Sequence, residues 1–274
     1  MFGQGGKGDA PAFVQRMAVT QGMGNSQDAG GELGTKAISF DFWNTLFTEA
    51  PDGYKFYGGR RQQLLEAALS GYETITPERI SKASHVEARI HHRIWVEQHR
   101  TLTTRDRIIV ILGALDAALP LERVDELTSA FEEGILDRPP IPVDGALDVI
   151  AQLHGKYRLG IISDTGFSPG RVLRRVLDQA GLLRAFDSLV FSDEAGRSKP
   201  HALVFKRTAA ALATRIDEIA HVGDLEHTDI VGAKNAGCYA VRFVGVTPMG
   251  EGESTVADKV VHSLSEISPA VEKF

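Results

Sequence analysis

A short apolar run, Ala37 to Phe40, delivers a carboxylate at Asp41 and passes at once into the polar turn Trp43-Asn44-Thr45. Apolar runs of this length bounded by turn signals suit a buried parallel strand. In an open α/β sheet, chemistry collects beyond the carboxyl ends of such strands. Three later segments add to this. Arg158 to Ile162 ends in Ser163-Asp164-Thr165-Gly166, Gly196-Arg197-Ser198 sets Lys199 before Pro200 and a helix, and Ile219 to Gly223 runs into Asp224, with Asp229 following. A carboxylate, a hydroxyl, an ammonium group and a carboxylate pair, each near a strand end, could attack and hold an anionic substrate. Taken singly, each also fits a plainer role: Asp41, Asp224 and Asp229 as turn or cap residues, Ser163 as a turn residue, Lys199 as a surface charge.

The elements that must position these residues follow from pattern. Beyond residue 140, helical segments (144–154, a helix with Ser168 as cap and Pro169 at its first position, 200–213, 228–236) alternate with apolar runs (158–163, 189–191, 219–222, 238–244, 260–262). That alternation predicts an α/β fold with a doubly wound, Rossmann-like parallel sheet. Between residues 51 and 139 the pattern is helical throughout, with candidates at 59–69, 76–98 (Thr76 as cap, Pro77 at the first position), 104–119 and 121–136. A helical block between the first two strands breaks the alternation and reads as an inserted all-helical module. Pro139-Pro140-Ile141-Pro142 is a stiff return linker. The expected organisation is a core of 36–50 and 140–274, a helical insert over 51–139 and a flexible Gly- and Gln-rich extension over 1–35. A phosphate loop among the early glycines is disfavoured, because no strand precedes them and the loop-lysine pattern is missing.

Composition narrows the function classes. The chain has 274 residues, 43% hydrophobic and 24% charged, with a formal net charge of -6. That balance argues against a general nucleic-acid binder, which carries a basic face, and still permits a local basic pocket for anions. The single cysteine, Cys238, has no internal disulfide partner and reads as a buried small hydrophobe within a strand. No apolar stretch reaches the length of a membrane span, and the N-terminal stretch lacks a continuous apolar core, so a cytoplasmic protein is expected. The helical insert is rich in basic and imidazole groups: Lys55, Arg60, Arg61, His91, His92, Arg93, His99, Arg100, Arg105 and Arg107. Most read as a solvated face; the functional alternative is that one or two bind an anionic substrate tail. Metal binding by His91 with His92 is disfavoured, since adjacent helical residues point apart.

Asp41, Ser163, Lys199 and the Asp224/Asp229 pair, in that order and each near a strand end, resemble the four motifs of the haloacid dehalogenase (HAD) superfamily of hydrolases, from about Lys36 onward. The resemblance implies a helical cap over the active site. It implies Asp41 as a nucleophile that forms a covalent aspartyl intermediate. Mg²⁺ would be held by Asp41, Asp224 and the backbone carbonyl of Trp43, with Asp229 in support through water or from behind. Ser163 would hydrogen-bond the transferring group, and Lys199 would stabilise developing charge and gather the carboxylates. Asn44, Thr45 and Asp164 would mark the phosphate cradle, through backbone amides after Asp41 and near Asp164.

One position departs from the pattern. The family's phosphatases carry a second Asp two residues after the nucleophile as general acid and base; here that residue is Trp43, whose indole exchanges no proton near neutral pH. The family's 2-haloacid dehalogenases have an aromatic residue there, because halide leaves unassisted. The acidic pair Asp224/Asp229 points the other way, to the metal-dependent phosphatases. The expected activity is therefore a Mg²⁺-dependent hydrolysis of a small anionic phosphorylated metabolite, with a 2-haloacid dehalogenase, or a catalytically weak binding or regulatory relative, as the alternatives. Oligomeric state is left open by the sequence.

Overall fold

The computed structural model describes residues 34–72, 74–272 and 274. The expected extension over 1–35 therefore lies almost wholly outside the described residues. The strands are β1 (Ala37–Phe40), β2 (Phe47–Thr48), β3 (Ile141–Pro142), β4 (Arg158–Ser163), β5 (Ser188–Phe191), β6 (Ile219–Gly223), β7 (Tyr239–Phe243) and β8 (Lys259–Val261). Six of them form one sheet in the order β5-β4-β1-β6-β7-β8, every neighbouring pair parallel. The doubly wound α/β class expected from the sequence is the one observed.

β1 has its carboxyl end in the middle of this sheet, and all four of its residues are fully buried. Alternate residues of the sheet serve opposite faces. Ile38, Phe40, Ile161 and Val222 pack with helices α5 (Ala146–Leu153) and α6 (Gly170–Gln179), while Ala37, Ile162, Ile219 and Ala240 pack with α8 (Ala202–Ala211) and α9 (Val231–Ala236). Each such buried Ile, Leu, Val or Phe contributes about 1.5–3 kcal/mol relative to exposure. From β1 the chain builds outward to β4 and β5 on one side, then crosses back to β6, β7 and β8 on the other. β1 is thus the point where strand order reverses, the place where a doubly wound sheet forms its crevice.

Between β2 and β3, which pair antiparallel as Phe47 opposite Pro142, lie four helices: α1 (Gly53–Ala68), α2 (Pro77–Gln98), α3 (Thr104–Leu115) and α4 (Leu121–Glu133). They enclose a core of their own, with Leu65, Leu69, Ile80, Ile108, Ile111, Leu112 and Phe131 buried together. α2 begins as its sequence suggests, Thr76 accepting from the Arg79 amide with Pro77 inside the first turn. α3 carries a reciprocal Thr103/Asp106 capping box and stops at Leu115, because Asp116 turns left-handed at φ 54°.

Some boundaries differ from expectation. α1 starts at Gly53 rather than Gly59, after a left-handed Asp52. α6 is not capped by Ser168: Pro169 itself is the N-cap, and the first orphan amide, Gly170 N–H, donates to the Asp193 carboxylate at 3.1 Å. That carboxylate belongs to α7 (Ser192–Ala195), which follows the neighbouring strand β5, so a tertiary contact replaces a local cap. Cys238 precedes β7 instead of lying in it, but it is buried as expected, and burial pushes its thiol up to about 12. Among the described residues no helix is long and apolar enough to cross a membrane.

Candidate active site

Parallel pairing aligns the carboxyl ends of three adjacent strands. Phe40 is level with Ile161 on β4 and Val222 on β6, so Asp41, Ser163 and Asp224 all emerge just past one line. The Asp41 amide still donates to the Val222 carbonyl at 2.8 Å, which extends the ladder to the residue that carries the carboxylate. Asn44 then adopts a left-handed backbone at φ 54°, as the tight turn requires, and its amide donates to Phe47 O at 2.6 Å. Thr45 is completely buried, and its hydroxyl has no partner among the described residues. Ser163 is 1% exposed, with only a long 3.5 Å contact from its hydroxyl to the Asp164 carbonyl. Both hydroxyls are left free for another acceptor or donor.

Lys199 enters from the loop between α7 and α8. Its ammonium hydrogen-bonds Asp41 Oδ1 and, at 2.6 Å, Asp229 Oδ1, with all three side chains buried. Asp229 sits in a π-helical turn, Glu226–Ile230, that folds its carboxylate back toward β6. Its Oδ2 accepts from the Leu225 amide at 3.0 Å and the Thr228 hydroxyl at 3.3 Å. Gly223 is needed beneath it, since a Cβ there would overlap the Asp229 carboxyl. Asp224 accepts from the Thr247 hydroxyl at 2.8 Å. Oxygens of Asp41, Asp224 and Asp229 lie within 4.8 Å of one another, a spacing that one hard cation can bridge. The carboxylate of Asp164 is committed elsewhere, to the Lys199 amide at 2.9 Å and to the Trp95 indole N–H at 3.0 Å. Its backbone, not its side chain, is what remains for an anion.

The electrostatics follow from four carboxylates sharing one ammonium. Burial would raise Asp229, but Lys199 and a hydrogen bond from His221 outweigh it and hold Asp229 below the usual carboxylate range. Burial would lower Lys199, and Asp229, Asp41 and Asp164 together hold it above its ordinary value. That leaves Asp41 and Asp224 undercompensated. Burial pushes Asp41 well up, opposed by Lys199 and reinforced by Asp229 and Asp224; burial and then Asp229 push Asp224 up. A crevice with this excess of acidic oxygen fits a divalent cation.

Three residues at this centre carry no sequence signal strong enough to single them out. His221 on β6 is fully buried beside Ser39 on β1, its register partner, at 2.9 Å from Nδ1, and its Nε2 lies 3.2 Å from Asp229 Oδ1. An ionised carboxylate only accepts, so Nε2 carries the proton, and the neutral ring accepts from the Ser39 hydroxyl. Burial lowers the pKa of this imidazole and so favours its neutral form. The paired polar breaks in two apolar runs, Ser39 and His221, are the only hint of this contact in the sequence. Trp95, from α2, reaches the crevice from the helical block and also meets the His227 ring edge-on at 5.4 Å. Thr247 arrives from the loop after β7. Neither of these two has a local signal, because each contact spans a long stretch of chain.

The model of the haloacid dehalogenase-like hydrolase family matches residues 35–237. The chain belongs to that family. Glyceraldehyde 3-phosphate phosphatase of Pyrococcus abyssi is 36% identical to this hydrolase over 102 residues, 37% of this chain and 42% of that protein. The pyrimidine 5'-nucleotidase YjjG of Escherichia coli is 37% identical over 98 residues, 35% of this chain and 42% of that protein. This hydrolase thus spans less than half the length of either relative. Among solved structures, the 2-haloacid dehalogenase of Pseudomonas syringae superposes with a TM-score of 0.65 at 21% identity, over 87% of this chain and 99% of that one. The HAD phosphatase of Thermococcus onnurineus superposes at 0.60 and 23%, over 86% and 97%. At those identities the likeness is one of fold.

Proposed function

We propose that this hydrolase is a Mg²⁺-dependent phosphatase of small anionic metabolites, with Asp41 as its nucleophile and the helical block as a cap over the crevice. The observation that carries the reading is the buried cluster of Asp41, Asp224 and Asp229 around one lysine. Asp41, Asp224 and the Trp43 carbonyl would hold the ion, and Asp229, whose oxygens are already engaged, would support them from behind. When bound, Mg²⁺ would offset the repulsion between an anionic nucleophile and an anionic substrate. Asp41 attacks phosphorus, the ester or anhydride oxygen leaves with its electron pair, and water then cleaves the aspartyl phosphate. Lys199, bonded to Asp41 Oδ1, aims that carboxylate and opposes the upward push of its burial. The free hydroxyls of Ser163 and Thr45 and the amides after Asp41 receive the phosphoryl oxygens. The names of the two partial-length relatives, both phosphate-ester hydrolases, agree with this reading.

Trp43 supplies no proton, so substrates whose departing oxygen is stable as an anion, such as acyl phosphates, are favoured. The test is hydrolysis of acetyl phosphate and of a 2-chloro acid, each with and without Mg²⁺, with calorimetric titration of Mg²⁺ alongside. The expected result is phosphate release that needs Mg²⁺, and binding of Mg²⁺ that Asp224→Ala removes. Chloride release without metal, and no Mg²⁺ binding, would overturn the proposal in favour of a dehalogenase.

A further inference from the structure

A cavity of about 560 Å³ lies within the helical block. Its wall on the sheet side is Trp43 with Gly166, Phe167 and Ser168. These residues follow directly on the strand ends that carry Asp41 and Ser163. The volume is that of a small-molecule site, and Tyr57, Phe131 and Phe167 give it an apolar body.

Two guanidinium groups meet at the Phe167 ring. Arg107 Cζ is 3.4 Å from the ring centroid and Arg61 Cζ is 4.4 Å from it. Their partners differ. Arg107 is neutralised by Glu87 through two bonds, Nε to Oε1 at 2.5 Å and Nη2 to Oε2 at 3.2 Å, with both side chains buried. Arg61 makes no hydrogen bond or ion pair to any other described residue. Glu87 and Glu49, both on the wall, attract it only from beyond ion-pair distance. Burial, with Arg107 alongside, pulls the Arg61 guanidinium below its ordinary range.

A half-buried cation beside a second cation, with its hydrogen-bonding fork unused, is costly unless something anionic completes it. Stacking on an aromatic face fixes the plane of the fork and offsets only part of that cost. A planar guanidinium presented this way matches the two oxygens of a carboxylate or phosphate.

We propose that this cavity receives the substrate's leaving group and that Arg61 binds a second anion on it, so that the enzyme selects phosphorylated compounds whose leaving group joins an apolar body to a carboxylate or a second phosphate. The inference rests on the phosphatase reading above. It identifies which member of the basic cluster in the helical block meets the substrate.

The experiment compares kcat/KM, with Mg²⁺ present, for 3-(carboxymethyl)phenyl phosphate and its uncharged isostere 3-(carbamoylmethyl)phenyl phosphate, with acetyl phosphate as reference. The two aryl esters share shape and leaving-group acidity and differ in one charge. The expected preference for the carboxylate is about 10- to 100-fold, the size of a charge-assisted hydrogen-bonded contact. A third ester bearing a phosphonomethyl group assigns the preference to carboxylate or to phosphate. In Arg61→Met the ratio should fall to near one, and Arg61→Lys should retain part of it. A wild-type ratio near one, or a ratio that Arg61→Met leaves unchanged, would overturn the inference. If Arg61→Met fails to melt cooperatively, the wild-type ratio alone decides. Failure of the wild type to hydrolyse acetyl phosphate would instead overturn the phosphatase reading beneath it.

Discussion

The crevice above β1 and the cavity in the helical block both gather buried charge, and they treat it in opposite ways. In the crevice the one ammonium is divided between Asp41 and Asp229, and the oxygens of Asp229 take further donors from Leu225, Thr228 and His221. In the cavity one arginine is fully paired with Glu87, while the other lies on the same phenylalanine with no hydrogen-bonding partner among the described residues. The difference follows from construction. Strand ends in a parallel sheet are fixed by their ladders, so groups placed there can be aimed at one another. Helices packed through side chains leave a space whose shape and charge are set residue by residue. The first region suits a reaction common to many substrates, the second a choice among them.

The largest expected effect breaks the first region alone. Asp41→Asn keeps the shape and removes the proposed nucleophile, so kcat should fall by about 10⁴-fold or more, with circular dichroism unchanged. Full activity on any substrate would end the covalent reading. Next comes Trp43, which stands two residues after Asp41, packs edge-on against Phe42 at 5.0 Å and lines the cavity. Without a general acid, acyl or nitrophenyl phosphates should outrun sugar phosphates by about 10²–10⁴-fold beyond a phosphatase that has one. Trp43→Asp should narrow that ratio even if losing the ring lowers absolute rates. Equal native rates on alkyl and acyl phosphates would mean that another group supplies the proton.

Two smaller effects sharpen the contrast on the helical side. Glu87→Ala strands the buried Arg107 charge and should cost about 3–5 kcal/mol of stability by urea melts. Lys234→Ala, which breaks the more exposed pair with Asp258, should cost about 1 kcal/mol or less. A similar loss in both variants would mean that Arg107 finds water or another partner. The last effect is a pH dependence at His91, whose Nδ1 is buried without a partner among the described residues. Burial, then Arg107 and His92, lower its pKa from 6.5 to about 4. Between those values the unfolded chain binds more protons than the folded one, so stability is fully present above pH 6.5 and is lost as pH falls toward 4. His91→Gln should flatten that part of the stability curve, and an unchanged slope between pH 7 and pH 5 would show that His91 charges freely in place.

How much of this was legible in the chain depends on the range of the interaction. The alternation of apolar runs with amphipathic helices determines the doubly wound sheet, because strand and helix periodicity are local and burial acts on each segment separately. Asp41, Ser163 and Asp224 could be read as crevice residues for the same reason: a parallel sheet brings strand ends together whatever the intervening sequence. The α6 cap was misread at Ser168, since Asp193 reaches Gly170 from another element. His221 with Ser39, Trp95 with Asp164, and Thr247 with Asp224 likewise exist only once register and packing are set. The basic cluster of the helical insert shows the limit most clearly. Arg61 and Arg107 are the same residue type on amphipathic helices, and nothing local separates them. Only packing gives Glu87 to one and leaves the other facing a cavity, because the partner of a buried charge is decided by whichever group tertiary structure brings within hydrogen-bonding distance.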